Sequence, residues 1–467
     1  MDDKRKIQWQ KVFWQNKHIF DSEPLAEITL SNMSDNRNIN LNHWQGYYFF
    51  KVFFYLIWGL INIVPEKAKD KKAVFQVWLD RSNDWGLIWP LVKQFDQHMI
   101  PFYFELTEEC YINHYDEILS LNNASILFHK KEYLKKICTI RLDDLRKAIR
   151  GYVTVRKIIK DYQMGSMWEF LSIYIVHIAY ANGIYRKFYS DCLFSVSLGD
   201  RVFGTLYHLY GIKHYGIQHG DTSEEGMGGW TTLGRANVFA AFTYGQHYAD
   251  LYHSFYGTNC IAAGHPAFSR SNFEFDEKRR RIVFFSVSHV IVDGNQVLRE
   301  NDLDKLNTTL DEIIEFSHSL SNDYEFYIKL HPNENPKYLI GYNEEFGSKI
   351  KIISGDISSS DVLKSTLIAV SWGSTVNLEA IKMGCLSLQL TKGISYFPPR
   401  KFTLKIEHFM EVLDLLSDPK RMKQEFLRQK TNVDLYFKVS DNPEKEVVST
   451  ILYNANINRI GENKNVK

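Results

Sequence analysis

The chain has 467 residues, with 56 Lys+Arg against 55 Asp+Glu, a net charge of +1, and 45% hydrophobic and 15% aromatic residues. That length exceeds one ordinary core, so two or three domains are expected, and the balanced charge excludes a nucleic-acid footprint. Five scattered cysteines (Cys110, Cys138, Cys192, Cys260, Cys385) form no Cys-x-x-Cys pair, which argues for a reducing compartment and against a structural zinc.

In chain order, residues 1–70 read as a helical preface. The first residues, MDDKRKIQWQKVFWQNK, are charged and lack the apolar core and cleavage site of a signal peptide. The stretch 47–64, YYFFKVFFYLIWGLINIV, is nearly long enough to span a bilayer, but Lys51 and Asn62 interrupt it, and Pro65, Lys67, Lys69, Lys71 and Lys72 follow. A charge in so short a span is unfavourable. Three readings stay open: a buried core helix, a helix lying in the membrane interface, or a span. The basic, aromatic flank suits an anionic inner leaflet.

From Ala73 short apolar runs alternate with amphipathic helices: AVFQVWL, a helix near 87–98, PFYFEL and ASILFH. A helical stretch over 131–188 has no strong breaker beyond Gly151 and Gly165. Strands return at 193–199, a helix at 201–210, then KHYGIQHG, AFTYG and NCIAAGHPAF, which closes a first block. The charged run FDEKRRR marks a linker. A second block follows, with strands at 282–288, 325–330, 349–353, 367–370 and CLSLQL, and helices at 303–320, 361–365 and 376–383. A helical tail begins at His408, and the last residues, NANINRIGENKNVK, read as frayed. The fold class is therefore α/β, with two Rossmann-like parallel-sheet domains at 71–274 and 282–405, between a helical preface and a helical tail at 406–467.

Ligands on such sheets bind at the carboxyl ends of the strands, where His219, Ser286, His331 and Ser371 are all expected. In IKLHPNENP the strand stops at His331-Pro332, because Pro332 cannot donate to a ladder. In AVSWGSTVNLEAIKMG a small-residue turn leads into a helix opening near Thr375. Ser371, Gly373, Ser374 and Thr375 would place hydroxyls and free N–H groups at that positive helix start, which suits a phosphate. Taken singly, His331 is equally a turn residue, and Ser374 or Thr375 an ordinary N-cap with Glu379 as a favourable first-turn charge. In this order, with Lys329, Ser286, Ser288 and Glu379, they form a candidate clamp for a nucleotide-activated donor.

His219 suits the base that takes an acceptor hydroxyl proton, since its unperturbed pKa lies near neutral. Asp221 can orient that imidazole, or Glu224 or Glu225 can serve as the base instead; the bland alternatives are a strand-end histidine in a turn and a solvated loop. Gln218, Gly220, and Asp80 and Asp84 in WLDRSNDWG are candidate acceptor contacts. The piece EEGMGGW lacks the GK[ST] ending of a P-loop and reads as a mobile loop over the acceptor site. No Asp-x-Asp stands at a strand end, so no metal is expected, and no cofactor.

YGIQHGDTSEEG, AAGHPAF, KLHPNENP and SWGSTVNLEAIKMG together resemble the GT-B glycosyltransferases of bacterial capsule and lipopolysaccharide assembly. The resemblance covers roughly 193–399. It is to the HP-motif sialyl- and Kdo-transferases, with related motifs in the CDP-glycerol glycerophosphotransferases. It implies that His331 and Pro332 are the HP motif that contacts a cytidine nucleotide, and that Ser371 and Ser374, with Thr375, take the phosphate-holding serine role. Here the serines are split by Trp372 and Gly373 instead of adjacent. Glu224-Glu225-Gly226 matches the letters of the acidic motif that carries the sialyltransferase base, while Gln218-His219-Gly220 matches the HG of the teichoic acid enzymes. The implied function is inverting, metal-independent transfer of a sugar or polyol phosphate, from a donor such as CMP-Kdo or CMP-sialic acid, to a glycan or lipid-linked glycan. The setting would be cytoplasmic, with peripheral contact at the inner membrane. The alternatives are a UDP-sugar 2-epimerase-like isomerase and a non-catalytic subunit of a polysaccharide assembly complex.

Overall fold

The computed structural model describes residues 12–13, 15–36, 71–77, 82–128, 140, 142–198, 201–219, 238–266, 274–286, 300–331, 349–392, 401–438, 440 and 442–455. The stretch 47–64 lies outside them. Among the described residues no helix is long and apolar enough to cross a membrane.

Two sheets organise the molecule, and every strand pair in both is parallel. The first contains β1 (Ala73–Val77), β2 (Phe102–Leu106), β3 (Ala124–Phe128), β4 (Phe194–Ser197), β5 (Lys213–Ile217), β6 (Ala240–Thr243) and β7 (Cys260–Ala262), in the order β3-β2-β1-β4-β5-β6-β7. The second contains β8 (Arg281–Phe285), β9 (Glu325–Lys329), β10 (Ile350–Ile353), β11 (Thr366–Ser371), β12 (Leu386–Leu390) and β13 (Leu404–Ile406), in the order β10-β9-β8-β11-β12-β13. Fully buried runs such as Phe102–Leu106 and Thr366–Ser371 are what a sheet covered on both faces demands. In each sheet the order reverses beside the first strand. This leaves a crevice between β1 and β4 in one sheet and between β8 and β11 in the other, where such folds take ligands.

The helical stretch expected over 131–188 resolves into Leu142–Asp161 and Met167–Ile184, followed by a π-helical turn at Tyr185–Tyr189. Gly165, at φ +128°, sits in the break between the two helices, while Gly151 runs on inside the first. The helices Gln246–Tyr256 and Glu108–Asn113 and the strand β13 were not anticipated. Arg279, in the charged run read as a linker, is built into the second sheet's core: its Nη1 donates to the carbonyls of Thr366 at 3.0 Å and Met383 at 2.9 Å.

The chain returns to the first sheet after β13. Helix Pro443–Asn454 packs against helix Ser82–Asp96, and Lys213 donates to the Asn454 carbonyl at 2.6 Å. Gly245 admits this return: a Cβ there would lie 2.4 Å from the Tyr436 carbonyl carbon. Two backbone bonds close the seam, His247 N–H to Leu435 O at 3.0 Å and Lys438 N–H to Tyr244 O at 2.7 Å. Phe437 is the shared side chain, stacked on His265 and Tyr244 from the first sheet and lying under the Lys382 ammonium of the second.

Three histidines, two buried and His177 half-buried, tie stability to pH. Burial pushes His177 down to about 4 and His214 to about 3, and burial with neighbouring His219 pushes His265 to about 3. The His214 ring is held between Ser195 Oγ at 2.8 Å and Ser197 Oγ at 3.3 Å. A depressed histidine contributes stability that is present above its ordinary value near 6.5 and is lost as pH falls toward the folded value. Each contributes about 1.4 kcal/mol per pH unit across that window. The urea midpoint is therefore expected to fall steeply from pH 6.5 to pH 4, and His214→Gln, if it folds, should remove about a third of the histidines' contribution to that fall.

Candidate functional site

The site is built from strand ends. β5 ends at Ile217, and two residues on stands His219, with its side chain 39% exposed. Helix Ser82–Asp96 follows β1 and carries Asp84 in its first turn, where a carboxylate faces the positive helix end. The Asp84 side chain is 1% exposed, and its Oδ1 lies 2.7 Å from His219 Nε2. The approach has ion-pair distance without the alignment of a hydrogen bond, since Asp84 Oδ1 accepts none. Catalytic hydrogen bonds are often misaligned before substrate binds. With Nε2 turned to the carboxylate, Nδ1 is the nitrogen left to meet a substrate proton. Asp84, expected to contact the acceptor, is buried with its carboxylate against His219.

Gln218 is corrected too. It is fully buried, and its Oε1 accepts from the Tyr244 N–H at 2.8 Å, so it pins the ends of β5 and β6 and does not face an acceptor. Asp80, Gly220, Asp221, Glu224, Glu225, Ser288 and Pro332 lie outside the described residues, as does the loop EEGMGGW.

In the second sheet Phe285, Lys329 and Ser371 stand level in register, so Ser286, His331 and the turn after Ser371 share one edge. Ser286 is 7% exposed, while His331, Ser374 and Thr375 are half-buried. Two expected donor contacts are redirected. The Lys329 ammonium is 2% exposed and donates to the Leu330 and Gly355 carbonyls at 2.6 and 3.1 Å, bracing the strand ends. Ser371 is fully buried; its Oγ donates to Asn377 Oδ1 at 2.7 Å and accepts from Gly373 N–H at 3.2 Å.

Asn377, which sequence reasoning missed, organises this turn. Its Oδ1 also accepts from Ser374 N–H at 3.2 Å, and its Nδ2 donates to Ser387 Oγ and the Leu388 carbonyl at 3.0 and 3.1 Å. The spacing Ser-x-x-Asn is a capping-box variant and was the available signal. Val376 N–H is bonded to Ser374 Oγ at 3.4 Å. The turn thus satisfies several amides internally, against the expectation that it leaves them free for phosphate. Gly373, at φ +118°, supplies the conformation that the turn needs.

Glu379 lies one turn on and is 4% exposed. Burial alone pushes it up to about 7. Lys382, on the same helix, is 2% exposed and pushed down to about 8 by burial, with Asp434 opposing. Both His219 and Lys382 contribute to the depression of His265.

No protein-family model matches the chain, and no curated protein matches it. Solved structures do. A Listeria monocytogenes protein described as a candidate UDP-N-acetylglucosamine 2-epimerase aligns at TM-score 0.50 and 13% identity, over 82% of this chain and 96% of its own. The S. aureus MnaA–UDP complex aligns at 0.50 and 13%, over 83% and 97%. The chain has the GT-B fold. The wall teichoic acid polymerase TagF, soaked with CDPG, aligns at 0.48 and 10%, over 89% of this chain and 99% of its own. At such identities the GT-B likeness extends to architecture alone.

Proposed function

We propose that the chain transfers a glycosyl or polyol-phosphate group from a nucleotide-activated donor to a glycan acceptor. The observation that carries this reading is a half-exposed histidine, backed by a buried carboxylate, just past the end of β5. The donor nucleotide sits over β8 and β11, held by Ser286, His331, Ser374 and Thr375, with Glu379 accepting from donor hydroxyls. The acceptor sits over β5. Its oxygen attacks the donor carbon (or phosphorus) as the bond to the nucleotide phosphate oxygen breaks. The electron pair leaves with the nucleotide, and the acceptor proton passes to His219 Nδ1, while Asp84 stabilises the imidazolium. A cytidine nucleotide, as in CMP-Kdo or CMP-sialic acid, is the favoured donor on the His331 and serine motifs, and a bacterial surface glycan at the cytoplasmic face is the favoured acceptor.

A second reading, isomerisation of a UDP-sugar, is supported by the two architectural neighbours at TM-score 0.50, one of which holds UDP. Nucleotide release separates the two. Incubation with CMP-, CDP- and UDP-activated donors is expected to free nucleotide only when a glycan acceptor is added. Interconversion of a UDP-sugar with no acceptor present would establish the isomerase instead.

A further inference from the structure

We propose that the outer face of helix Leu142–Asp161 is a docking surface for an anionic lipid bilayer. The helix runs 20 residues, about 30 Å, with its inner face buried through Ala148, Val155, Ile158 and Ile159 against helices Pro24–Asn36 and Met167–Ile184. Its sequence, LDDLRKAIRGYVTVRKIIKD, holds six cations against three carboxylates. Arg146, Arg150, Lys157 and Lys160 are exposed, and their spacings of 4, 7 and 3 keep them on one stripe.

Two further observations set this face apart from an ordinary solvated stripe. Ile149 and Val153 stand within it, 48% and 50% exposed, one turn apart. The cations also divide along the helix. Arg146 pairs with Asp143 at 2.9 Å and Arg150 with Glu23 at 3.5 Å, whereas Arg156, Lys157 and Lys160 have no ion pair among the described residues. A basic stripe around exposed aliphatic side chains matches the boundary of a bilayer. The ammonium and guanidinium groups meet anionic headgroups, and the branched side chains enter the acyl edge. An acidic polysaccharide would satisfy the charge but offers nothing to Ile149 and Val153, so the membrane is the better occupant. Lipid binding by this face is independent of the nucleotide chemistry.

The test is co-sedimentation of the full chain with vesicles of phosphatidylcholine alone and with phosphatidylglycerol added, over a range of salt. Wild type should bind only the anionic vesicles, and more weakly as salt rises. Replacing Arg156, Lys157 and Lys160 together by Glu should reduce partitioning on the order of 100-fold or more, at about 1 kcal/mol per lost cation. Ile149→Ser with Val153→Ser should weaken the binding that survives at high salt. Circular dichroism and thermal melting of each variant confirm that the fold is kept, and single charge reversals replace the triple change if it does not fold. Equal binding to neutral vesicles, no binding to either, or a folded triple variant that binds like wild type would overturn the proposal. Capture by an acidic polysaccharide through the same three cations, without vesicle binding, would reassign the face to a polyanion.

Discussion

Asp84→Asn is expected to cut turnover by roughly 10²–10⁴-fold, the range in which a positioned general base acts, while leaving donor affinity close to wild type. The amide keeps the size of the carboxylate and loses the charge that faces His219 Nε2 at 2.7 Å. The imidazolium formed during transfer then has no counter-charge, and the ring is no longer held with Nδ1 toward the acceptor. Because Asp84 acts through His219, the readout is a double-mutant cycle: Asp84→Asn should cost little further turnover in a His219→Asn background, since residues that act as one unit are not additive. A loss as large in that background as in wild type would mean that Asp84 only supports the fold.

Glu379→Gln is expected to stabilise the free protein at pH 8 by up to about 3 kcal/mol, the equivalent of a carboxyl raised from 4.5 to about 7. The sign follows from the direction. A raised carboxyl contributes stability that is present below its ordinary value and is lost as pH rises through the folded one. Between pH 4.5 and 6.5 this opposes the three depressed histidines, so the net slope is about 3 kcal/mol per pH unit rather than about 4. Urea unfolding of wild type and variant at pH 5 and pH 8 measures it: the variant should gain at pH 8 and match wild type at pH 5. Tight donor binding should also release a proton near pH 7 in wild type and none in Glu379→Gln, since donor hydroxyls favour the ionised carboxylate.

The sheets were legible because a parallel sheet covered on both faces writes short apolar runs, and those at Ala73, Phe102, Phe194 and Glu325 start within one residue of the observed strands. Strand-end positions followed from the same pattern, which is why His219, Ser286 and His331 were found. The direction that each polar side chain takes was not legible. Lys329 and Ser371 stand at strand ends as a donor clamp requires, yet one reaches back to Leu330 and Gly355 and the other forward to Asn377. Residue type and period are the same for a group turned to ligand and one turned to backbone. The Asp84–His219 contact joins residues far apart in the chain, and only the closing of β1 beside β4 and β5 brings them together. Helix Gln246–Tyr256 was missed because its aromatic residues, HYADLYHSFY, buried at Tyr248, Ala249, Leu251 and Tyr252, obscure the usual aliphatic period.

The most direct measurement compares turnover and nucleotide affinity of wild type and His219→Asn with the same donor and acceptor. If His219 is the base, the variant binds nucleotide as wild type does and loses acceptor-dependent nucleotide release by at least about 10²-fold. A variant that releases nucleotide at the wild-type rate would contradict that role, and would remove His219 and Asp84 from the chemistry.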